Sequence, residues 1–298
     1  MTREIFFLVI ALCCGSAMAE PDAGDTVFWY EGNFPPVTFL SGTHRGEGWG
    51  DKGRDLLIRR MPEFRHEVVE ATPSRSYDAL RNRPNTCNAE TLKTPARATL
   101  YEYSEPLLRI MPNGIITTRS RLHLFEPFIN KHGELDLDHF LALGKYRIGI
   151  VQGRSFGPGI DAVLTKHADK HLTVSVLSSD HFKARLLKLV NQREFDAIFG
   201  YAMEMVFVSR ELELAQGEVV FLSVAQETDL VPIYVACSKT EFGKRVIAAV
   251  NRELAAPGAR AELEEVAAAY RLWQDKDTSA RFDRMRKAFA ERGKARPL

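Results

Sequence analysis

"YRIGIVQGRSFGPGIDAVL", residues 146–164, decides the fold class. A short apolar strand enters a loop punctuated by glycines, and the loop opens into a helix. That strand–loop–helix step is the repeating unit of an α/β sheet. The same alternation extends in both directions. Upstream, "TVFWY" (26–30) reads as a strand closed by the loop "EGNFPP". "GEGWGDKGRDLLIRRMPEF" follows, with Leu56, Leu57 and Met61 at helical spacing. "HEVVEAT" is a strand, "SRSYDALRN" a capped helix and "TCNAETLK" a strand. After "GIITTRSRL" the pattern begins again, with helical "LDLDHFLAL" leading into the quoted unit. "LTVSVLS", "HFKARLLKLVNQ" and "FDAIFG" then read as strand, helix and strand. "DLVPIYVACSKT" is a late apolar strand, followed by helices over Glu241–Leu254 and Arg260–Trp273. Two α/β units are expected. The final stretch, "DKDTSARFDRMRKAFAERGKARPL", is charge-rich and weakly amphipathic, which predicts a loosely held helix. No internal repeat or low-complexity tract is present.

The chain opens on "MTREIFFLVIALCCGSAMAE", in which Arg3 precedes a short apolar run and "AMA" ends at Ala19. A charged start, an apolar stretch too short to span a bilayer and a small-residue cleavage site predict an export signal over residues 1–19. Cys13 and Cys14 lack the small preceding residue expected of a lipidation site. Cleavage after Ala19 leaves 279 residues (298 minus 19) and removes Arg3 with Glu4, so the formal net charge stays at +1. Such a balance argues against a nucleic-acid partner, which calls for a basic surface. Cys87 and Cys237 remain, and an even pair in an oxidising compartment invites a disulfide; two separate buried thiols are the alternative.

The glycine-flanked loop of the opening stretch leaves N–H groups at a helix start, suited to an anion. It also fits G-x-S-x-G at Gly153, Ser155 and Gly157, the nucleophile elbow of hydrolases. That chemistry needs a histidine well downstream, yet the last one, His181, is followed by 117 residues without another (298 minus 181). A Ser-His-Asp triad is therefore not supported, and the missing Gly-Lys-Ser/Thr argues against nucleotide hydrolysis. His167 and His171 stand four apart without a third ligand, which favours a solvated helix face over a metal site. Trp29, Tyr30, Phe34 and Trp49 cluster around the "GNFPP" and "GEGWGD" loops, where aromatics can wall a pocket.

One further stretch, "NAETLKTPARATLYEYSEPL" (88–107), places Thr94 three residues before Arg97, with Ser-Glu-Pro beyond. An arginine fork fits a carboxylate. Together with "NFPPVTF", "GEGWGDKGRDLL", "GKYRIGIVQGRSFG", "REFDAIFGYAME" and "IYVACSKT", taken in order, the chain resembles the extracellular solute-binding protein family 3, the periplasmic amino-acid-binding type. Within it the chain is most similar to a proteobacterial subgroup of exported proteins with a transporter substrate-binding domain. The resemblance implies a two-lobe periplasmic binding protein type II fold, α/β in class, with two crossover strands and a central ligand cleft. Lobe I would hold 25–118 and 222–274, lobe II 119–221, and 275–298 a charged tail. By the same resemblance Arg97 of the Thr94-x-x-Arg97 element grips a ligand carboxylate, Arg154 and Ser155 offer donors to it, Phe34 stacks on the ligand and Glu31 meets its far end. Two positions depart from the family. Leu92 replaces a small hydroxyl residue, and Tyr201 stands where an acid would hold an α-amino group. A buried ammonium without a partner is costly, so a free amino acid is not the expected ligand.

The expected function is that of a monomeric periplasmic binding protein. It would capture a small anionic or carbonyl-bearing solute and present it to an inner-membrane transporter or sensor, with no cofactor, metal or nucleic acid. An enzyme or signalling co-receptor on the same scaffold is the alternative. Catalysis would need a paired acid and base, and Glu31 and Glu90 are the only acidic candidates, neither with a partner legible in the sequence.

Overall fold

The computed structural model describes residues 25–150, 154–169, 172–175, 181–192 and 195–293. The expected export signal, together with Gly153 and His171, lies outside the described residues. Eleven strands among the described residues form two sheets. They are β1 (Thr26–Glu31), β2 (Arg65–Glu70), β3 (Thr86–Thr91), β4 (Tyr101–Ile110), β5 (Gly114–Thr118), β6 (Glu134–Leu135), β7 (Arg147–Ile150), β8 (Leu172–Ser175), β9 (Ala197–Gly200), β10 (Val219–Val224) and β11 (Val231–Ser238). The first sheet runs β2-β1-β3-β11-β4 and the second β6-β10-β5-β9-β7-β8. β1 pairs in parallel with β2 and β3, as helix crossovers require, while β11 returns antiparallel between β3 and β4. Pro106 is tolerated in β4 because that strand lies on the sheet edge.

The helices are α1 (Trp49–Arg60), α2 (Pro73–Asn82), α3 (Pro95–Ala98), α4 (Leu137–Ala142), α5 (Pro158–Lys166), α6 (His181–Leu187), α7 (Ala202–Glu211), α8 (Glu241–Ala255), α9 (Ala259–Arg271) and α10 (Lys276–Glu291). Their starts are fixed by local chemistry. Thr72, Thr94, Asp136, Thr240 and Asp275 each accept a first-turn N–H at the N-cap, and Pro73, Pro95 and Pro158 occupy first-turn positions where a missing N–H costs nothing. The first core packs Trp29, Leu57, Leu107, Val235, Val250 and Leu263, and the second packs Phe125, Phe140, Ile148, Phe156 and Phe199.

The chain leaves the first sheet after Ile110 and returns to it at Val231. Both β5 and β10 therefore belong to the second sheet, paired antiparallel from Thr118–Val219 to Gly114–Ser223. The two crossings are 111–113 and 225–230. Between the lobes, Trp49 Nε1 meets Met203 Sδ at 3.4 Å, and Phe39 and Trp273 pack edge-on or tilted against Phe207 and one another.

Cys87 and Cys237 form a disulfide between β3 and β11, where they stand opposite each other in register. Both are fully buried. The bridge thus replaces the alternative of two separate thiols. The C-terminal stretch differs from its expectation as a loosely held helix: α10 buries Phe282, Met285 and Phe289, and the first two join the first core. Phe282 meets Tyr270 at 5.2 Å, and Arg281 reaches Glu134 of the second sheet at 3.0 Å. Charge density masked a stripe of only three apolar side chains at spacings of three and four. His167 also departs from the sequence reading. It is not solvated but buried, with Nε2 at 2.5 Å from Asp138 Oδ1.

Candidate functional site

Three clusters meet around the cleft. The first is built on Arg97. Thr94 ends the strand-like approach from β3 and caps α3, its hydroxyl accepting the Arg97 N–H at 3.2 Å. That cap aims the Arg97 side chain back over α2. Its guanidinium lies 4.1 Å from the Tyr77 ring centroid and donates to the Leu92 carbonyl at 3.3 Å. No salt bridge to Arg97 exists among the described residues. Tyr77, beneath it, lies within electrostatic reach of Tyr201 on the opposite lobe. Burial raises the Tyr77 phenol above its usual range and Arg97 works against that rise.

The second cluster is built on Arg154. Its Nη1 and Nη2 donate to the two carboxylate oxygens of Glu204 at 3.2 and 2.9 Å. Glu204 is fully buried in the first turn of α7, where its Oε2 also accepts the Tyr201 N–H at 2.8 Å. The guanidinium carbon sits 5.2 Å from the Phe34 centroid, 5.6 Å from Phe156 and 5.4 Å from Tyr201. Phe34 comes from the first lobe and the others from the second. Burial alone would lower the Arg154 pKa; Glu204 more than offsets it, so the group stands above its usual value. Arg185, behind this pair, is pushed down to about 10 by burial and by repulsion from Arg154, and its Nη1 donates to the Phe199 carbonyl.

The third cluster lies under the first lobe's side of the cleft. Glu31 at the end of β1 is fully buried, and its Oε1 accepts the Ala89 N–H at 3.0 Å. Its carboxyl meets that of Glu90, which also accepts from the Thr38 hydroxyl. Arg54 stands 4.0 Å from Glu31 Oε2 while engaged with Asp51 at 3.2 Å and Asp55 at 2.8 Å. Burial raises Glu31, and burial with the Glu31 charge raises Glu90 well above the ordinary carboxylate range.

The structure therefore brings Phe34, Arg154 and Tyr201 together across the lobes and holds Thr94 beside Arg97. Glu31 is fully buried and bonded to Ala89 and Glu90 within the first lobe. The described part of the opening loop bonds within the chain. Ser155 Oγ donates to Asp161 at 2.5 Å, and Asp161 also accepts the Phe156 N–H at 2.9 Å. Glu227, from the returning crossover, takes the Gly159 and Ile160 N–H groups of α5 at 2.7 and 3.0 Å. Gly157, at φ +118°, adopts a backbone closed to most side chains there. Among the described residues, the Ser155 hydroxyl and the N–H groups of Phe156, Gly159 and Ile160 are thus taken by two carboxylates of the chain itself. The sequence reading missed Tyr77, Glu204 and Glu227. Only Glu204 left a trace, as an acid three residues past the Gly-Tyr that ends the β9 strand. Asn113 of the outgoing crossover bonds the Phe156 carbonyl at 3.1 Å and ties the loop to the hinge.

Among the described residues no group of three potential metal ligands assembles, and no helix is long and apolar enough to cross a membrane. A shallow surface depression of about 150 Å³ lined by Tyr30, Ala71, Arg75, Asp78 and Arg83 lies apart from these clusters.

No protein-family model and no curated protein matches the chain. Solved structures do. One comes from work on glutathione import via GshT and the cystine ABC importer TcyBC of Streptococcus mutans. It superposes with a TM-score of 0.64 at 13% identity, covering 83% of this chain and 94% of that one. The amino acid ABC transporter substrate-binding protein AbpA of Streptococcus pneumoniae, bound to L-arginine, gives 0.60 at 13% identity over 85% and 97%. The periplasmic VFT2 domain of Bordetella pertussis BvgS gives 0.58 at 17% identity over 84% and 94%. The chain has the two-lobe fold of type II periplasmic binding proteins.

Proposed function

We propose that the chain is an exported solute-binding protein of the family 3 type, which closes its two lobes on a small carboxylate-bearing solute and presents it to a membrane transporter or sensor. Arg97 carries this reading. It is a half-buried arginine on the cleft wall, oriented by a cap and an aromatic ring, with no carboxylate of the described chain paired to it. An ion-pairing group held in place but left without a counter-charge is what a carboxylate ligand needs. The other cleft arginine is neutralised by Glu204. Thr94, Tyr77, Phe34 and Tyr201 complete the walls, while Ser155 and Glu31, bonded within their own lobes, act as support.

Ligands without an ammonium group fit this arrangement best. Glu204 is occupied by Arg154, Glu31 and Glu90 face each other, and Tyr201 offers a phenol instead of an acid. Carboxylates, keto acids and acyl compounds are favoured over unmodified α-amino acids. Among the solved neighbours are an amino acid ABC transporter substrate-binding protein and a periplasmic VFT2 domain, and the reading keeps both a transporter and a sensor as membrane partners. Catalysis finds no exposed acid–base pair in these clusters, since Glu31 and Glu204 are both fully buried. Native mass spectrometry of the purified mature chain, with extraction of whatever it carries, tests the reading. A small carboxylate recovered unchanged supports it, and a cleft that binds no carboxylate in a thermal-shift screen would overturn it.

A further inference from the structure

Arg154 resembles a bound ligand more than a binding residue. Its planar cation lies among three aromatic faces, one supplied by the opposite lobe, and both ends of its fork are seated on a buried carboxylate. That is how a protein recognises a free guanidinium compound. The receptor half of this arrangement does not depend on Arg154. Glu204 belongs to the first turn of α7 and is oriented by the Tyr201 N–H. Phe156 is held by its own N–H to Asp161 and by Asn113 at its carbonyl.

We propose that Arg154 is a tethered occupant of a guanidinium subsite, and that by filling it the side chain excludes solutes that would place a cation between Phe34 and Tyr201. Shortening Arg154 exposes the subsite and admits guanidinium compounds. The inference deepens the reading of this cleft as a solute site and rests on it. The physical reason is charge. Glu204 is fully buried; Arg185 stands within its electrostatic reach, but only Arg154 is seen seated on both carboxylate oxygens. Losing that fork leaves the carboxylate undercompensated and lowers stability unless another cation takes the place. In the wild type the chain supplies that cation permanently, and the solute need bring only its carboxylate to Arg97.

The test uses the mature chain with Arg154→Ala, whose missing atoms correspond to ethylguanidinium. The variant is expected to melt below wild type. Low-millimolar ethylguanidinium should raise its melting temperature saturably, and ethylammonium, which lacks the planar fork, should do so much more weakly. Wild type should not respond, nor should Arg154→Ala combined with Glu204→Gln. A silent Arg154→Ala, an equal response from wild type, or an equal response from the double variant overturns the proposal. Should Arg154→Ala not fold alone, refolding in ethylguanidinium is the measurement, and failure to recover folded protein there counts against it in the same way. Rescue needs neither the natural solute nor Arg97. If rescue fails while carboxylates still bind through Arg97, this inference alone falls. If rescue succeeds while no carboxylate binds, the solute-binding reading falls instead.

Discussion

At the scale of single residues, the two cleft arginines differ by one neighbour. Arg154 has Glu204, and Arg97 has no described carboxylate. Replacing Arg97 by Ala is expected to weaken binding of a carboxylate solute by about 2–4 kcal/mol, the loss of a desolvated charge-assisted pair. The melting temperature of the unliganded protein should move little, because the exchange removes one ring contact and one carbonyl bond of about 1 kcal/mol each. Titration calorimetry with an identified carboxylate reads the first quantity, and unchanged affinity would show that the carboxylate sits elsewhere. The buried carboxyls predict a pH effect of definite sign. Glu31 and Glu90 both titrate above their usual range in the fold, facing Asp51 and Arg54 from α1 and Tyr77 from α2. Above about pH 4.3, where unfolded Glu ionises, the native state then holds more protons than the unfolded one. Stability contributed by the pair is full at low pH and declines as pH rises through the folded-state values, with a slope of up to about 1.4 kcal/mol per pH unit for each proton. Glu90→Gln keeps a donor for Glu31 and should flatten that decline in urea denaturation between pH 5 and 8. A slope equal to wild type would assign the effect to other groups. None of this pairing was legible in the sequence, where Glu31 and Glu90 stand 59 residues apart (90 minus 31).

At the scale of elements, the disulfide and the last helix show opposite lessons. The thiol count and the export signal pointed to a Cys87–Cys237 bridge, and β3 and β11 lie side by side to make it. It closes a loop 150 residues long in sequence separation, so its loss should cost about 2–5 kcal/mol, less than loop entropy alone suggests if the unfolded chain retains structure. Urea denaturation of Cys87→Ser/Cys237→Ser against wild type measures it, and equal midpoints would mean the bridge adds nothing to the ordering already supplied by the sheet. Helix α10 was read as loosely held because its composition is charged. In the fold Arg281 pairs across to Glu134 of the second sheet and Asp283 to Arg271 of α9, while Phe282, only 4% exposed, enters the first core. Phe282→Ala should therefore destabilise by about 3–5 kcal/mol, a core value rather than that of a mobile tail. A loss below about 1 kcal/mol would restore the looser description.

For the whole molecule, the proposed function links ligand binding to lobe closure. A solute present at about 100 times its dissociation constant should add roughly 2.7 kcal/mol to stability, a shift of several degrees in melting temperature for a chain of this size. Trp49 and Trp273 lie where the lobes touch, so their emission should change in step with that shift. Thermal stabilisation without any change in tryptophan emission or small-angle scattering would place the solute outside the interlobe cleft.

The sequence by itself left α3 and α7 unread but determined the α/β class, the start of α8 at Glu241 and the candidate bridge. These depend on periodicity, capping residues and spacing, which act over a few residues. Only the tertiary structure decided which charges are available. Glu227 lies 67 residues from the N–H of Ile160 that it takes, and Glu204 lies 50 residues from Arg154. Neither separation carries a local pattern, because a buried carboxylate selects its partner by proximity in space once the apolar cores have brought the strands and helices together. The described part of the loop read as an anion site bonds to carboxylates of the chain itself, which is why the proposed function turns on Arg97 instead.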